Sequence, residues 1–265
     1  MGIERRTDDA LLTINDLSVA YGGKHVVDAV SFSVCAGQVV GLVGESGAGK
    51  STVLKSIARL IPSTAKVCSG RIHFAGEDVL ALSDKELSDI RGSRIATIFQ
   101  NPGSSLDPSM RIGKQIIEVL KQHSNISKQA ARTESYELLH RMGLSDVQAL
   151  ARAYPFELSG GMLQRVAIAL AMAFKPAILL ADEPTSALDS TTQLSIIKEL
   201  LALNAAFGMA ILLVTHNIGL AYHVCDEIHV MSDGKIVESG SAESLIKDPQ
   251  AELTKRLIKA VPEVV

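Results

Sequence analysis

The stretch "GESGAGKST", residues 44–52, constrains this chain more than any other. It matches G-x-x-x-x-G-K-[ST], and it lies between "QVVGLVG" (38–44), a β-branched run that reads as a buried strand, and a helical pattern. That strand–loop–helix setting is the one a phosphate-binding loop needs. Gly44, Gly47 and Gly49 let successive backbone N–H groups curl towards an anion, and the helix starting near Lys50 adds its positive dipole end. Lys50 is placed to reach the β- and γ-phosphates of a nucleoside triphosphate, Ser51 to ligate Mg2+, and Thr52 to bond the α-phosphate. Glu45, Ser46 and Ala48 fill the remaining loop positions. A glycine-rich turn arising by chance would lack the flanking strand and helix.

A second segment, "AILLADEP" (177–184), supplies acid chemistry. An apolar strand ending in two carboxylates suits Asp182 directed at Mg2+ and Glu183 directed at an attacking water. The surrounding pattern fits. "LLTINDLSVAYGG" and "HVVDAVSFSV" alternate as half-buried strands do, and "GRIHFAGEDV" reads as a hairpin turning near Gly76. Ser83 stands three residues before Glu86, a capping-box spacing that starts a short helix. "SKQAARTESYELLHRMGL" is helical, with Gly143 as its stop.

From residue 176 the pattern is strand, amphipathic helix stopped by Gly208, strand, then a hairpin on Asp233-Gly234. Strands alternating with helices imply parallel βαβ units, while roughly 88–165 reads as mainly helical. The expectation is an α/β core (about 10–88 and 166–245), an inserted helical subdomain (about 88–165) and a helical tail (about 241–265).

Composition excludes several classes. Net charge is -3, without the basic face that nucleic acid requires. Cys35, Cys68 and Cys225 form no CxxC pair, which argues against a metal cluster and suggests small buried apolar residues in a reducing compartment. "MGIERRTDDA" is no secretory signal, and Arg6 stands where myristoylation needs Ser or Thr. No apolar run reaches about 18 residues, so a membrane span is not expected.

"YPFELSGGMLQR" (154–165) holds no catalytic pair, yet places Ser159, Gly160 and Gly161 at the mouth of a helix. Leu163, Val166, Leu170 and Phe174 follow at helical spacing, as a packing stripe. "LSGGM", with "GESGAGKS", Gln100, "ILLADE", "SALD" (186–189) and His216, resembles the motif set of ABC-type ATPases, in the expected order and across about residues 10–240. A GTPase would show N-K-x-D, and the chain has none.

The resemblance implies a P-loop NTPase (RecA-like) α/β fold with an antiparallel β subdomain, and ATP with Mg2+ as cofactors. It also implies a head-to-tail pair, in which Ser159, Gly160, Gly161 and Asp189 of one subunit serve nucleotide held by the other. Tyr21 in "SVAYGG" matches the adenine-stacking aromatic, Gln100 in "TIFQNP" the glutamine that touches Mg2+ or water, and His216 in "LLVTHN" the γ-phosphate-contacting histidine. His223 and His229 are expected at the surface or in packing.

"FQNPGSSLDPSMRIGKQIIE" (99–118), the methionine of "LSGGM" and "TKRLIKAVP" (254–262) resemble the peptide and nickel importer branch. "DPQAELT" departs from that branch's usual His-Pro-Tyr-Thr, and a short Cys-free tail with Met162-Leu163-Gln164-Arg165 resembles its nickel or metal-chelate members. The implied partners are a second ATPase subunit (identical or a sister), two transmembrane permeases and an extracytoplasmic solute-binding protein. The implied location is peripheral, on the cytoplasmic face of the inner membrane. A non-transport ABC protein of a soluble complex, such as carbon–phosphorus lyase, is the alternative. A soluble P-loop kinase is a third reading.

Overall fold

The computed structural model describes residues 10–261, so Arg6 and the rest of residues 1–9, and Pro262, lie outside the described residues. The alternating segments near the start form β1 (Ala10–Tyr21) and β2 (Lys24–Cys35), an antiparallel pair joined at Gly22 and Gly23, both with positive φ. β3 (Val39–Gly44) is buried at every position and leads through the glycine loop into α1 (Lys50–Ile57). β4 (Ala65–Phe74) and β5 (Glu77–Asp78) flank the expected turn, with Ala75 and Gly76 at φ 49° and 84°. The order β2-β1-β4-β5 makes the antiparallel sheet. α2 (Asp84–Ile90) begins at the anticipated capping box, where Ser83 N–H and Oγ–H donate to Glu86 at 2.8 and 2.6 Å.

The next stretch holds β6 (Ile95–Ile98), α3 (Ile112–His123), α4 (Lys128–Arg141), α5 (Val147–Arg152) and α6 (Gly160–Ala171). β7 (Ile178–Asp182), α7 (Ser190–Phe207), β8 (Ala210–Thr215), α8 (Ile218–Val224), β9 (Glu227–Ser232) and β10 (Lys235–Ser241) follow. α9 (Ala242–Lys247) and α10 (Glu252–Lys259) close the described chain. Two units result: one takes the chain up to Leu87 and from Gly208 onward, the other is Ser88–Phe207.

In the first unit β3 runs parallel between β8 and β9, with Val43 opposite Thr215 and Gly44 opposite Met231. β10 pairs antiparallel with β9 across the Asp233-Gly234 turn, both at positive φ as a tight hairpin turn requires. In the second unit β6 and β7 pair in parallel, with Ile98 opposite Ala181. β6 differs from the mainly helical reading of that region. At four residues, "IATI" is too short for a period to declare itself, and pairing with β7 makes it a strand.

Two other expectations are corrected. Of the α6 stripe only Val166 is fully buried, while Leu163, Leu170 and Phe174 are half-exposed; the buried face also takes in Gln164, Ile168 and Ala171. Of the cysteines, Cys225 is buried and burial pushes its thiol up to about 12, but Cys35 is only half-buried and Cys68 is exposed.

His229, as expected, is a packing residue. It is 4% exposed on β9, its ring centroid 5.0 Å from that of Phe32 and its Nδ1 2.8 Å from Ser239 Oγ. Burial pulls its pKa from 6.5 to about 4, outweighing the part-exposed Glu227 carboxylate 3.6 Å from Nε2. Between these values the unfolded chain binds a proton that the fold excludes, so stability falls as pH drops through that window. His229→Gln is expected to remove about 2 kcal/mol of the stability difference between pH 7 and pH 5. Urea midpoints at the two pH values measure it.

Candidate functional site

The first unit holds the glycine loop, the candidate anion site. Gly49 caps α1 at φ 101°, and no side chain caps that helix's first turn, which also carries no acid. A helix start with a glycine cap and no acid in its first turn leaves its positive dipole end suited to an anion. Lys50 is 5% exposed, and its Nζ donates to the carbonyls of Gly44 and Glu45, each at 2.8 Å. The ammonium is thereby held inside the curve of the loop.

Glycine is required here by close approach. A Cβ on Gly44 would stand 2.1 Å from the Met231 carbonyl oxygen, and one on Gly49 2.5 Å from that of Val26. The turn between β9 and β10 braces the same loop, since Gly234 N–H donates to Ala48 O at 3.1 Å. Of the other positions, Ser51 is half-buried, Thr52 buried, and Glu45, Ser46 and Gly47 exposed.

His216 follows β8, one residue past Thr215, whose strand partner Val43 immediately precedes Gly44. The parallel pairing therefore puts the histidine and the glycine loop at the same carboxyl edge of the strands, where open α/β sheets bind ligands. Asn217 then caps α8, its side chain accepting from Leu220 N–H at 3.0 Å. Tyr21 is half-exposed at the end of β1, paired with Lys24 and Ala65.

The second unit holds the carboxylates. Asp182 ends β7 and is 4% exposed. Glu183 follows with φ 44°, a left-handed backbone that it shares with turn residues such as Ala75 and Asp233. The β6–β7 register explains its contact. Gln100 and Glu183 each lie two residues past the matched pair Ile98 and Ala181, and Gln100 Nε2 donates to Glu183 Oε2 at 3.2 Å.

The Ser-Gly-Gly stretch opens α6, where Ser159 Oγ accepts from Met162 N–H at 3.3 Å. A Cβ on Gly161 would meet Thr192 Cγ2 at 3.0 Å, so packing against α7 accounts for that glycine. Gly160 has no such reason: its Cβ would make an ordinary 3.6 Å contact with Leu188. Asp189 caps α7, accepting from Thr192 N–H at 3.0 Å and Thr192 Oγ–H at 2.7 Å, and these bonds hold its carboxyl below the usual range. Glu157 is a cap as well, accepting from Tyr154 N–H at 2.6 Å.

One tie carried no sequence signal. Arg165 donates to Glu199 Oε1 at 2.6 Å and to Ser195 Oγ at 3.0 Å, joining α6 to α7. The charges are complementary, but nothing local announces that the two helices meet.

The chain is similar to known proteins. A sequence model of the family described as "ABC transporter" matches residues 27–186. The chain is 45% identical over 258 residues to the peptidoglycan transport ATP-binding protein YejF of Agrobacterium fabrum (strain C58 / ATCC 33970), covering 96% of itself and 47% of that protein. It thus spans about half the length of that relative. It is 41% identical to the dipeptide transport ATP-binding protein DppD of Escherichia coli (strain K12), covering 96% of itself and 79% of DppD.

Among solved structures, it is similar to the ATP-binding cassette MJ0796 in a dimeric post-hydrolysis state bound to ADP and Pi. There the TM-score is 0.78 at 30% identity, over 87% of this chain and 98% of that one. The fold is that of a P-loop NTPase, and the chain belongs to the ABC transporter family as one of its ATP-binding, ATP-hydrolysing proteins.

Proposed function

We propose that this chain is the ATP-hydrolysing subunit of an importer for di- or oligopeptides, working as one of a pair. The observation that carries the substrate class is identity of 40–45% across nearly the whole chain with proteins described as transporting dipeptides, oligopeptides or peptidoglycan. Nickel or a metal chelate remains the competing cargo, on the resemblance of Met162-Leu163-Gln164-Arg165.

In this reading Lys50 and the N–H groups around Gly47 and Gly49 hold the β- and γ-phosphates, and Tyr21 stacks on adenine. Glu183 accepts the proton of the attacking water, which Gln100 helps to place, and His216 steadies the γ-phosphate. Ser159 and Gly160, at the exposed start of α6, face nucleotide held by the partner subunit, and Asp189 bridges to that subunit's glycine loop.

Ser51, Asp182 and Gln100 offer Mg2+ a hydroxyl, a carboxylate and an amide oxygen, all hard donors. Mg2+ at nucleotide sites keeps several waters and takes substrate phosphates as ligands, so a few such donors suffice. When bound, Mg2+ neutralises charge on the β- and γ-oxygens.

Docking to permeases on the cytoplasmic face of the membrane is part of this reading. The second unit has a groove of about 590 Å³ among α3, α4 and α5, lined by Ile117, Tyr136 and Ala151 and by the basic side chains of Arg111, Lys114, Lys121, Lys128, Arg132 and Arg152. No described helix is long and apolar enough to cross a membrane.

Purifying the chain with whatever accompanies it, then measuring phosphate release with a peptide-loaded or nickel-loaded solute-binding protein, tests the proposal. Stimulation by peptide supports it, and stimulation by nickel alone replaces the cargo. Recovery in a soluble enzyme complex without permeases would overturn the transport reading.

A further inference from the structure

α10 reaches back to the glycine loop. Arg256 Nη2 donates to Glu45 Oε1 at 2.7 Å, joining the second residue of the loop to a helix near the far end of the chain. The helix is well fixed. The Glu238 carboxylate accepts from the N–H groups of Gln250 and Ala251 at 2.7 and 3.0 Å, at the start of α10, and Thr254 is fully buried.

Val261 then fills a notch at Gly219, where a Cβ would come within 2.8 Å of Val261 Cγ1. Gly219 is in the first turn of α8, three residues after His216. This end of the chain is therefore anchored beside two of the connections that rise from the carboxyl edge of the first unit's parallel strands, those after β3 and β8.

Glu45 is an awkward residue for an anion site. Its carbonyl accepts from Lys50 Nζ and from Ala48 N–H at 3.2 Å, so it helps to shape the cradle. Its carboxylate, however, adds negative charge to a loop that binds polyphosphate. Both partners of the ion pair are more than half exposed, 66% for Arg256 and 57% for Glu45, so the pair contributes little to folding stability. Charge cancellation beside a polyanion is a different matter, because a charge-assisted bond of this length holds the carboxylate in one place with a positive charge against it.

Resting on the nucleotide-site reading above, we infer that Arg256 is a positioning residue for ATP binding: it draws the Glu45 carboxylate aside and offsets its charge next to the phosphates. The test measures ATP affinity, KM, kcat and thermal midpoint for Arg256→Ala, Arg256→Glu and Arg256→Lys in the full chain. Arg256→Ala is expected to weaken ATP binding about fivefold at low salt, with kcat and the thermal midpoint unchanged. Arg256→Glu is expected to weaken it by more than about tenfold, while Arg256→Lys stays within about twofold of the parent.

At about 1 M salt, where the screening length is about 3 Å, the differences should vanish. Unchanged affinity for both Arg256→Ala and Arg256→Glu at low salt would overturn the inference. So would an equal loss in Arg256→Lys, or a loss that tracks the thermal midpoint. Lys50→Ala measured alongside separates the two levels: if it too keeps full affinity, the nucleotide-site reading fails; if it alone loses ATP, only the role of Arg256 does.

Discussion

Glu183→Gln is expected to bind ATP as tightly as the parent while steady-state hydrolysis falls by roughly 10²–10⁴-fold, the usual contribution of a positioned general base. The substitution is nearly isosteric, and its amide oxygen can still accept the bond that Gln100 Nε2 makes to Glu183 Oε2. What it loses is basicity. An amide cannot take the proton of an attacking water, so nucleotide should be retained while turnover stops. Phosphate release and nucleotide binding measured on the same preparation check both halves. Turnover within a few-fold of the parent would remove Glu183 from the chemistry.

Lys50→Ala acts one step earlier. The buried ammonium bridges the carbonyls of Gly44 and Glu45, and it is the cation of the loop itself. Hydrogen bonds to charged groups contribute about 1.5–3 kcal/mol each, so affinity for ATP should fall by roughly 10²-fold. The two loop carbonyls also lose their shared donor, and the cradle loses a brace along with its charge. Equilibrium binding of ATP decides the matter, and an unaltered affinity would argue against the assignment of the loop.

Much of this fold is written in short-range signals. The buried run before Gly44, the capping box at Ser83 and Glu86, and the turns at Gly76 and Asp233-Gly234 all depend on a few neighbouring residues, and all appear where the pattern puts them. Long-range features were not legible. β6 is a strand because β7 lies beside it, and Gln100 reaches Glu183 because of that pairing's register.

The α6 stripe went astray for a related reason. Helical spacing identifies several possible faces, and which face is buried depends on what packs there. Cys68 is exposed although cysteines favour burial, because residue type is only a tendency on a part-exposed strand such as β4. The ties from Arg165 to Glu199 and from Arg256 to Glu45 join residues that no window along the chain would read together.

The bracing of the glycine loop also has a consequence for biosynthesis. Gly44 and Gly49 take their places against Met231 and Val26, and Ala48 accepts its hydrogen bond from Gly234. A ribosome delivers the loop well before two of those neighbours, Met231 and Gly234. Until they arrive, a nascent chain carries the motif without the surroundings that give it shape. Protection of a nascent chain by ATP should therefore appear only once the β9–β10 turn has emerged from the exit tunnel.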